Sequence, residues 1–125
     1  MESSRPILIV EDDDTLRDLL AMVVGDALGA PVFEARNWRE GLEQVRRARP
    51  ALILVDLMLP PMDGLELCRR IKADPSTRDI PLLAISGGAS RDQALAARCD
   101  DFLFKPFDYD DLLGKIRRWL RGKAA

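Results

Sequence analysis

Ile7-Leu8-Ile9-Val10-Glu11-Asp12-Asp13 is an unbroken apolar run that ends in three acids, and its reading decides the fold. A strand buried on both faces loses the alternation of a half-exposed strand, which is the habit of a parallel sheet covered by helices on both sides. Three further runs share this form: Leu52-Ile53-Leu54-Val55 ends at Asp56, Leu82-Leu83-Ala84-Ile85 at Ser86, and Phe102-Leu103-Phe104 at Lys105. Ligands of such sheets bind in the crevice beyond the strands' carboxyl ends, so these polar terminators are expected to converge on one site.

Between the runs the apolar spacing turns helical. Leu16, Leu19, Leu20, Val23, Val24 and Leu28 recur at three- and four-residue intervals, with Gly29 and Pro31 as stops. A weaker strand, Val32 to Ala35, precedes a helix that Asn37 caps, with Glu40 placed to close a capping box, and that ends before Pro50. Asp63-Gly64 opens a third helix, with Leu65, Cys68 and Ile71 on one face and a break at Asp74-Pro75. Ser90 is positioned to cap a brief helix to about Ala97, and Asp108 starts the last one, with Leu112, Leu113, Ile116, Trp119 and Leu120 inward. Strand and helix therefore alternate throughout, which predicts right-handed βαβ crossovers and helices on both faces of a parallel sheet.

A chain of 125 residues makes one domain, large enough to bury a core without disulfides or a structural metal. Its 19 basic and 21 acidic residues give a net charge of −2, which gives no whole-chain case for nucleic-acid binding. No stretch has the form of a signal peptide or a membrane span, so a cytoplasmic location with no membrane contact is expected. Cys68 and Cys99 stand in apolar surroundings without a C-x-x-C partner and read as reduced packing residues. Histidine is absent, which excludes His-based metal sites, triads and general bases and means the chain cannot itself carry a phosphohistidine. The basic stretch Lys115, Arg117, Arg118, Arg121 and Lys123 reads as the solvated face of the last helix, because apolar residues interleave it at core spacing. Trp38 reads as a packing aromatic.

One acid suffices to cap the first helix, and Asp13 or Asp14 can do that. Glu11 and Asp12 are then surplus, and they repel one another at a buried strand end unless a cation neutralises them. Hard Mg²⁺ takes one or two carboxylates plus waters and phosphate oxygens. Asp56, at the end of a second run and followed by a Pro-rich loop, cannot be a routine helix cap. Beside a metal it is a reasonable nucleophile toward a phosphoryl group.

The set IVEDD at the first strand end, LVDLMLPPMDG around Asp56, AIS at the fourth strand and FLFKPF near the C-terminus resembles the receiver domain of bacterial response regulators. The resemblance covers nearly the whole chain. It implies a single domain over residues 1–125 with a doubly wound, flavodoxin-like (βα)5 fold and a five-stranded parallel sheet in the order 2-1-3-4-5. It further implies that Glu11, Asp12, Asp56 and the Met58 backbone carbonyl hold Mg²⁺ and that Asp56 accepts the phosphoryl group from a histidine kinase or histidine phosphotransfer protein. Ser86 corresponds to the switch hydroxyl, Gly87 to a phosphate-binding backbone N–H, Lys105 to the lysine that pairs with the phosphoryl oxygens, and Phe102 to the switch aromatic. Such a protein is a signalling phosphoacceptor with only self-phosphorylation and self-dephosphorylation chemistry. Its downstream partner and any output domain are not readable from the chain, and a stand-alone regulator and an excised receiver read alike.

Two departures accompany the match. From Ser86 to Phe102 the chain is about one helical turn shorter than typical receivers, so the fourth helix is expected to be stunted and the usual dimer face remodelled. Arg98-Cys99 stands where relatives carry Gly-Ala, and Arg98 is expected to avoid the positive φ a glycine would tolerate. Two other readings remain open at this stage. One is a pseudo-receiver that acts through protein contact alone; the other is a haloacid-dehalogenase-like phosphatase, whose D-x-D-x-T signature Glu11-Asp12-Asp13-Asp14-Thr15 superficially resembles.

Overall fold

Five parallel strands, β1 (Ile7–Val10), β2 (Val32–Ala35), β3 (Leu52–Asp56), β4 (Leu82–Ser86) and β5 (Asp101–Phe104), form one sheet in the order β2-β1-β3-β4-β5. The structure, a computed structural model, describes residues 5–57, 63–86 and 98–122. Helices α1 (Asp14–Leu28), α2 (Trp38–Ala48) and α3 (Asp63–Ala73) and a C-terminal helix (Tyr109–Gly122) cover its two faces. The brief helix expected over Ser90 to Ala97 and its proposed shortening lie outside the described residues.

The alternation hidden in the apolar runs reappears as two cores. Leu8, Val10, Ile53, Val55, Leu82 and Ala84 point to one side and pack with Leu42 and Val45 of α2 and Leu67, Cys68 and Ile71 of α3. Ile7, Ile9, Leu52, Leu54, Leu83 and Ile85 point to the other side, against Leu20 and Val24 of α1 and Leu112 and Ile116 of the C-terminal helix. Because both sets are buried, the central strands read as continuous hydrophobic sequence. The edge strand β2 read weakly for the converse reason, since Phe33 and Glu34 are exposed.

Helix ends follow the residues read as signals. Asp13 caps α1, its Oδ1 accepting the Leu16 N–H at 3.0 Å, and Gly29 ends that helix at φ 63°. Asn37 caps α2 by accepting the Glu40 N–H at 2.9 Å. The Glu40 carboxylate does not return to the Asn37 N–H as a capping box requires; it accepts from the Arg36 N–H at 2.9 Å and the Arg36 guanidinium at 3.0 Å. α2 packs close to the sheet at Gly41, where a Cβ would lie 3.1 Å from both Val10 and Leu67 side chains.

Arg98 departs from expectation and adopts φ 66°. The cost of that left-handed conformation for a residue with a Cβ is about 1–2 kcal/mol, and the next residues offset it. Asp100 donates its N–H to Leu82 O at 2.9 Å, accepts the Leu82 N–H on Oδ2 at 2.7 Å, and takes the buried Lys72 ammonium on the same oxygen at 2.5 Å. This exchange fixes the turn into β5 and leaves Arg98 little choice of backbone. A second non-glycine residue at positive φ, Arg49 at 49°, terminates α2.

Candidate functional site

The register of the sheet brings the polar terminators to one edge. Val10 lies beside Val55, Asp56 beside Ile85, and Ser86 beside Phe104, so Glu11, Asp56, Ser86 and Lys105 all fall at the carboxyl ends of adjacent strands. Asp56 is buried, as the last residue of β3. Lys105, which follows β5 and precedes a cis peptide bond to Pro106, donates from Nζ to Asp56 Oδ2 at 3.1 Å. The ion pair joins a buried carboxylate to an ammonium that remains partly open to solvent.

Glu11 is only 2% exposed, although it is ionisable and opens a turn. Its Oε2 accepts the Asp13 N–H at 3.1 Å, while its Oε1 is buried with no hydrogen-bond partner among the described residues. Burial raises its pKa to about 8, helped by the adjoining Asp56 carboxyl and then Asp12, and the Asp13 N–H opposes the rise only in part. Asp12 is exposed at the mouth of the site. A crowded acid pair with an orphaned oxygen fits a hard divalent cation, which supplies both the missing partner and the compensating charge. Among the described residues, no group of three or more acidic or sulfur side chains is arranged to hold a metal by itself. Mg²⁺ does not require one, since it keeps several waters and binds through one or two carboxylates.

The other expected residues are placed unevenly. Phe102 of β5 pairs with Ala84 of β4, is half-buried against the core under α2 and α3, and meets Phe104 edge-on with ring centroids 5.0 Å apart. Ser86 closes β4. Met58 and Gly87 lie outside the described residues.

Three supports escaped the sequence reading. Arg17 of α1 is buried; it donates to Glu11 O at 2.9 Å and to Asp14 Oδ1 at 2.6 Å and Glu34 Oε1 at 3.2 Å, tying the acid turn to α1 and β2. The Asp14 to Arg17 spacing, a helical i, i+3 pair, was the available signal. Gly64 at the start of α3 backs onto the site: a Cβ there would run into Asp56 O and lie 2.6 Å from Leu57 Cα. Asp101, the first residue of β5, accepts from Trp119 Nε1 at 2.8 Å, Lys115 Nζ at 3.1 Å and the Phe102 N–H at 2.8 Å. Lys115, expected on a solvated face, is thereby tied to the sheet.

The chain matches the family model described as response regulator receiver domain over residues 7–117. Among curated proteins it is 36% identical over 118 residues to a DNA-binding dual master transcriptional regulator, RpaA, of Synechocystis sp., covering 92% of this chain and 48% of that one. It is 34% identical over 120 residues to the phosphate regulon transcriptional regulatory protein PhoB of Pseudomonas aeruginosa, covering 94% of this chain and 52% of that protein. The chain thus spans about half the length of the curated relatives it matches. Among solved structures, the signal receiver domain of a signal transduction histidine kinase from Syntrophus aciditrophicus superposes with a TM-score of 0.86 at 33% identity, covering 94% of this chain and 90% of that one. A CheY-like response regulator receiver domain protein from Methanospirillum hungatei gives 0.84 at 31% identity, covering 96% of both chains.

Proposed function

Because this chain belongs to the response regulator receiver domain family, we propose that Asp56 is its phosphoacceptor and that a phosphohistidine on a kinase or phosphotransfer partner is the donor. The observation that carries the assignment is the buried Asp56 carboxylate paired at 3.1 Å with Lys105 and adjoining Glu11. One Asp56 oxygen attacks phosphorus as the bond to the histidine nitrogen breaks, and the imidazole departs with that electron pair. Lys105 offsets charge on the transferring oxygens, and its reach from a strand end holds it on one side of the acceptor. Glu11, Asp12, Asp56 and the Met58 carbonyl are the groups that would hold Mg²⁺. When bound, that ion neutralises the carboxylates and draws charge from the phosphoryl oxygens. The Ser86 hydroxyl and the Gly87 N–H then donate to the new phosphoryl group, and Phe102 moves toward the space that Ser86 leaves.

No feature of the site favours the pseudo-receiver or the phosphatase reading. No helix among the described residues is long and apolar enough to cross a membrane. The curated relatives named above are transcriptional regulators, one of them named as DNA-binding, so an output through nucleic acid belongs to a longer protein than this domain. The test is incubation with acetyl phosphate and Mg²⁺ followed by intact mass measurement. A gain of about 80 Da, the mass of one phosphoryl group, is expected on the native chain and absent after Asp56→Asn. No gain on the native chain, or an undiminished gain on the variant, overturns the assignment.

A further inference from the structure

The two cysteines, separated by 31 residues in sequence, meet in space: Sγ of Cys99 lies 3.4 Å from Sγ of Cys68. Cys68 sits on α3 with no exposed surface, and Cys99 is half-buried in the turn that enters β5. Two core thiols ordinarily serve as small hydrophobes, and packing alone does not require their sulfurs to touch. Here both flanks of the contact are held. Lys72, one turn beyond Cys68 on α3, donates to Asp100 Oδ2, Ile80 O and Arg78 O, and Asp100 adjoins Cys99.

We propose that Cys68 and Cys99 form a peroxide-sensitive dithiol that closes to a disulfide within the folded domain, linking α3 to the start of β5. Cys99 is the half-buried partner and so the one that a small oxidant reaches first. Its thiol is lowered from the ordinary value, first by the hydrogen bond with Cys68 and to a smaller degree by the Lys72 ammonium, whereas burial and the adjacent Asp100 carboxylate oppose this. The Cys68 thiol is pushed well up, by the same hydrogen bond and by burial. Because Cys99 is partly open to solvent and Cys68 is fully buried behind it, Cys99 is the attacking sulfur and Cys68 the resolving one.

The chemistry balances with hydrogen peroxide as oxidant. The Cys99 thiolate attacks one peroxide oxygen; a sulfur–oxygen bond forms, the oxygen–oxygen bond breaks, and the leaving oxygen departs as water after taking a proton. The Cys68 sulfur then attacks the Cys99 sulfenic sulfur. A sulfur–sulfur bond forms, the sulfur–oxygen bond breaks, and a second water leaves with the Cys68 proton. Two thiols lose two electrons and one peroxide gains them. Bond formation needs the sulfurs to approach by about 1.4 Å from their present contact.

The experiment exposes the reduced native chain to hydrogen peroxide, then unfolds it in iodoacetamide and measures its mass and peptides. The expected product is lighter than the reduced chain by about 2 Da, resists alkylation, and yields one cross-linked pair of peptides carrying Cys68 and Cys99. Closure should be at least about 10-fold faster in the native chain than in the same chain in urea, because the fold holds the sulfurs in contact. In Cys68→Ser, or in Cys68→Ala should the serine not fold, Cys99 should accumulate as a sulfenic acid that dimedone captures. Two alkylated thiols at a dose that oxidises glutathione, equal native and unfolded rates, or linkage only between chains would each overturn the proposal. None of these readouts requires phosphorylation, so the site stands or falls apart from the assignment of Asp56.

Discussion

Lys105 Nζ reaches Asp56 Oδ2 at 3.1 Å from two strands away, since β4 lies between β3 and β5. The sheet order thus sets the distance between cation and acceptor, and nothing local to either residue does. Lys105→Ala should lower the rate of Asp56 phosphorylation by acetyl phosphate by about 10-fold or more, as expected for removing a charge-stabilising donor. The lysine is partly solvated, so stability should change by no more than about 1 kcal/mol. Parallel rate and urea-unfolding measurements check that split; equal losses in both would make Lys105 a structural residue.

Glu11→Gln replaces the orphaned carboxyl oxygen with a group that can donate toward Asp56. The metal-free variant should be at least as stable as the parent, because a crowded acid pair has been relieved. The parent should gain about 1–3 kcal/mol with excess Mg²⁺ and lose it on chelation, whereas the variant should show little response. Thermal unfolding with and without Mg²⁺ reads both.

Gly64→Ala places a methyl group against Asp56 O and 2.6 Å from Leu57 Cα. Backbone cannot yield as a side-chain tip can, so the variant should lose about 2–3 kcal/mol. Because the strain falls on Asp56 itself, acetyl phosphate labelling should also slow under conditions where the variant is still folded.

For Asp101, burial alone would raise the pKa, yet the Trp119, Phe102 and Lys115 donors together hold it below the usual aspartate value. A depressed acid contributes stability that is complete above its unfolded value and is lost as pH falls through the folded one. Asp101→Asn should therefore cost about 1–2 kcal/mol at neutral pH, with the difference from the parent shrinking only as pH falls through the usual aspartate range and below it. Urea unfolding across pH 3 to 7 would detect a difference that is instead uniform.

Arg98→Gly removes the left-handed strain at φ 66° at the expense of a more flexible unfolded chain. A net gain of about 0.5–1 kcal/mol is expected. The same change at Arg49 should give no gain, because the Arg49 side chain also donates to Ser76 O at 2.5 Å. Chemical unfolding of the pair separates backbone strain from lost side-chain contacts.

The strands and the convergence of Glu11, Asp56 and Lys105 were legible because burial on both faces writes itself as an uninterrupted apolar run with a polar stop, whereas the strand order followed only from the family resemblance. Arg17, Asp101 and Lys72 were not. Each is a charged residue whose importance comes from partners distant in sequence, and composition shows no difference between these and solvated neighbours. Arg98 misled for a related reason: φ preference is local, whereas the Asp100 clamp with Leu82 and Lys72 that overrides it is tertiary. The cysteines looked solitary because their contact depends on how α3 and β5 pack, which no spacing motif records.

The chain has two tryptophans, and the sheet lies between them. Trp38 packs on the α2 and α3 side, with the Arg70 guanidinium 4.6 Å and the Arg39 guanidinium 5.3 Å from its ring. Trp119 lies on the other side, its indole N–H bonded to Asp101 next to Phe102. Each layer consequently carries its own intrinsic fluorophore, one quenchable by flanking cations and the other attached to the strand that leads to Lys105. Trp38→Phe would leave a single-tryptophan protein whose indole fluorescence follows events along β5 without an added dye.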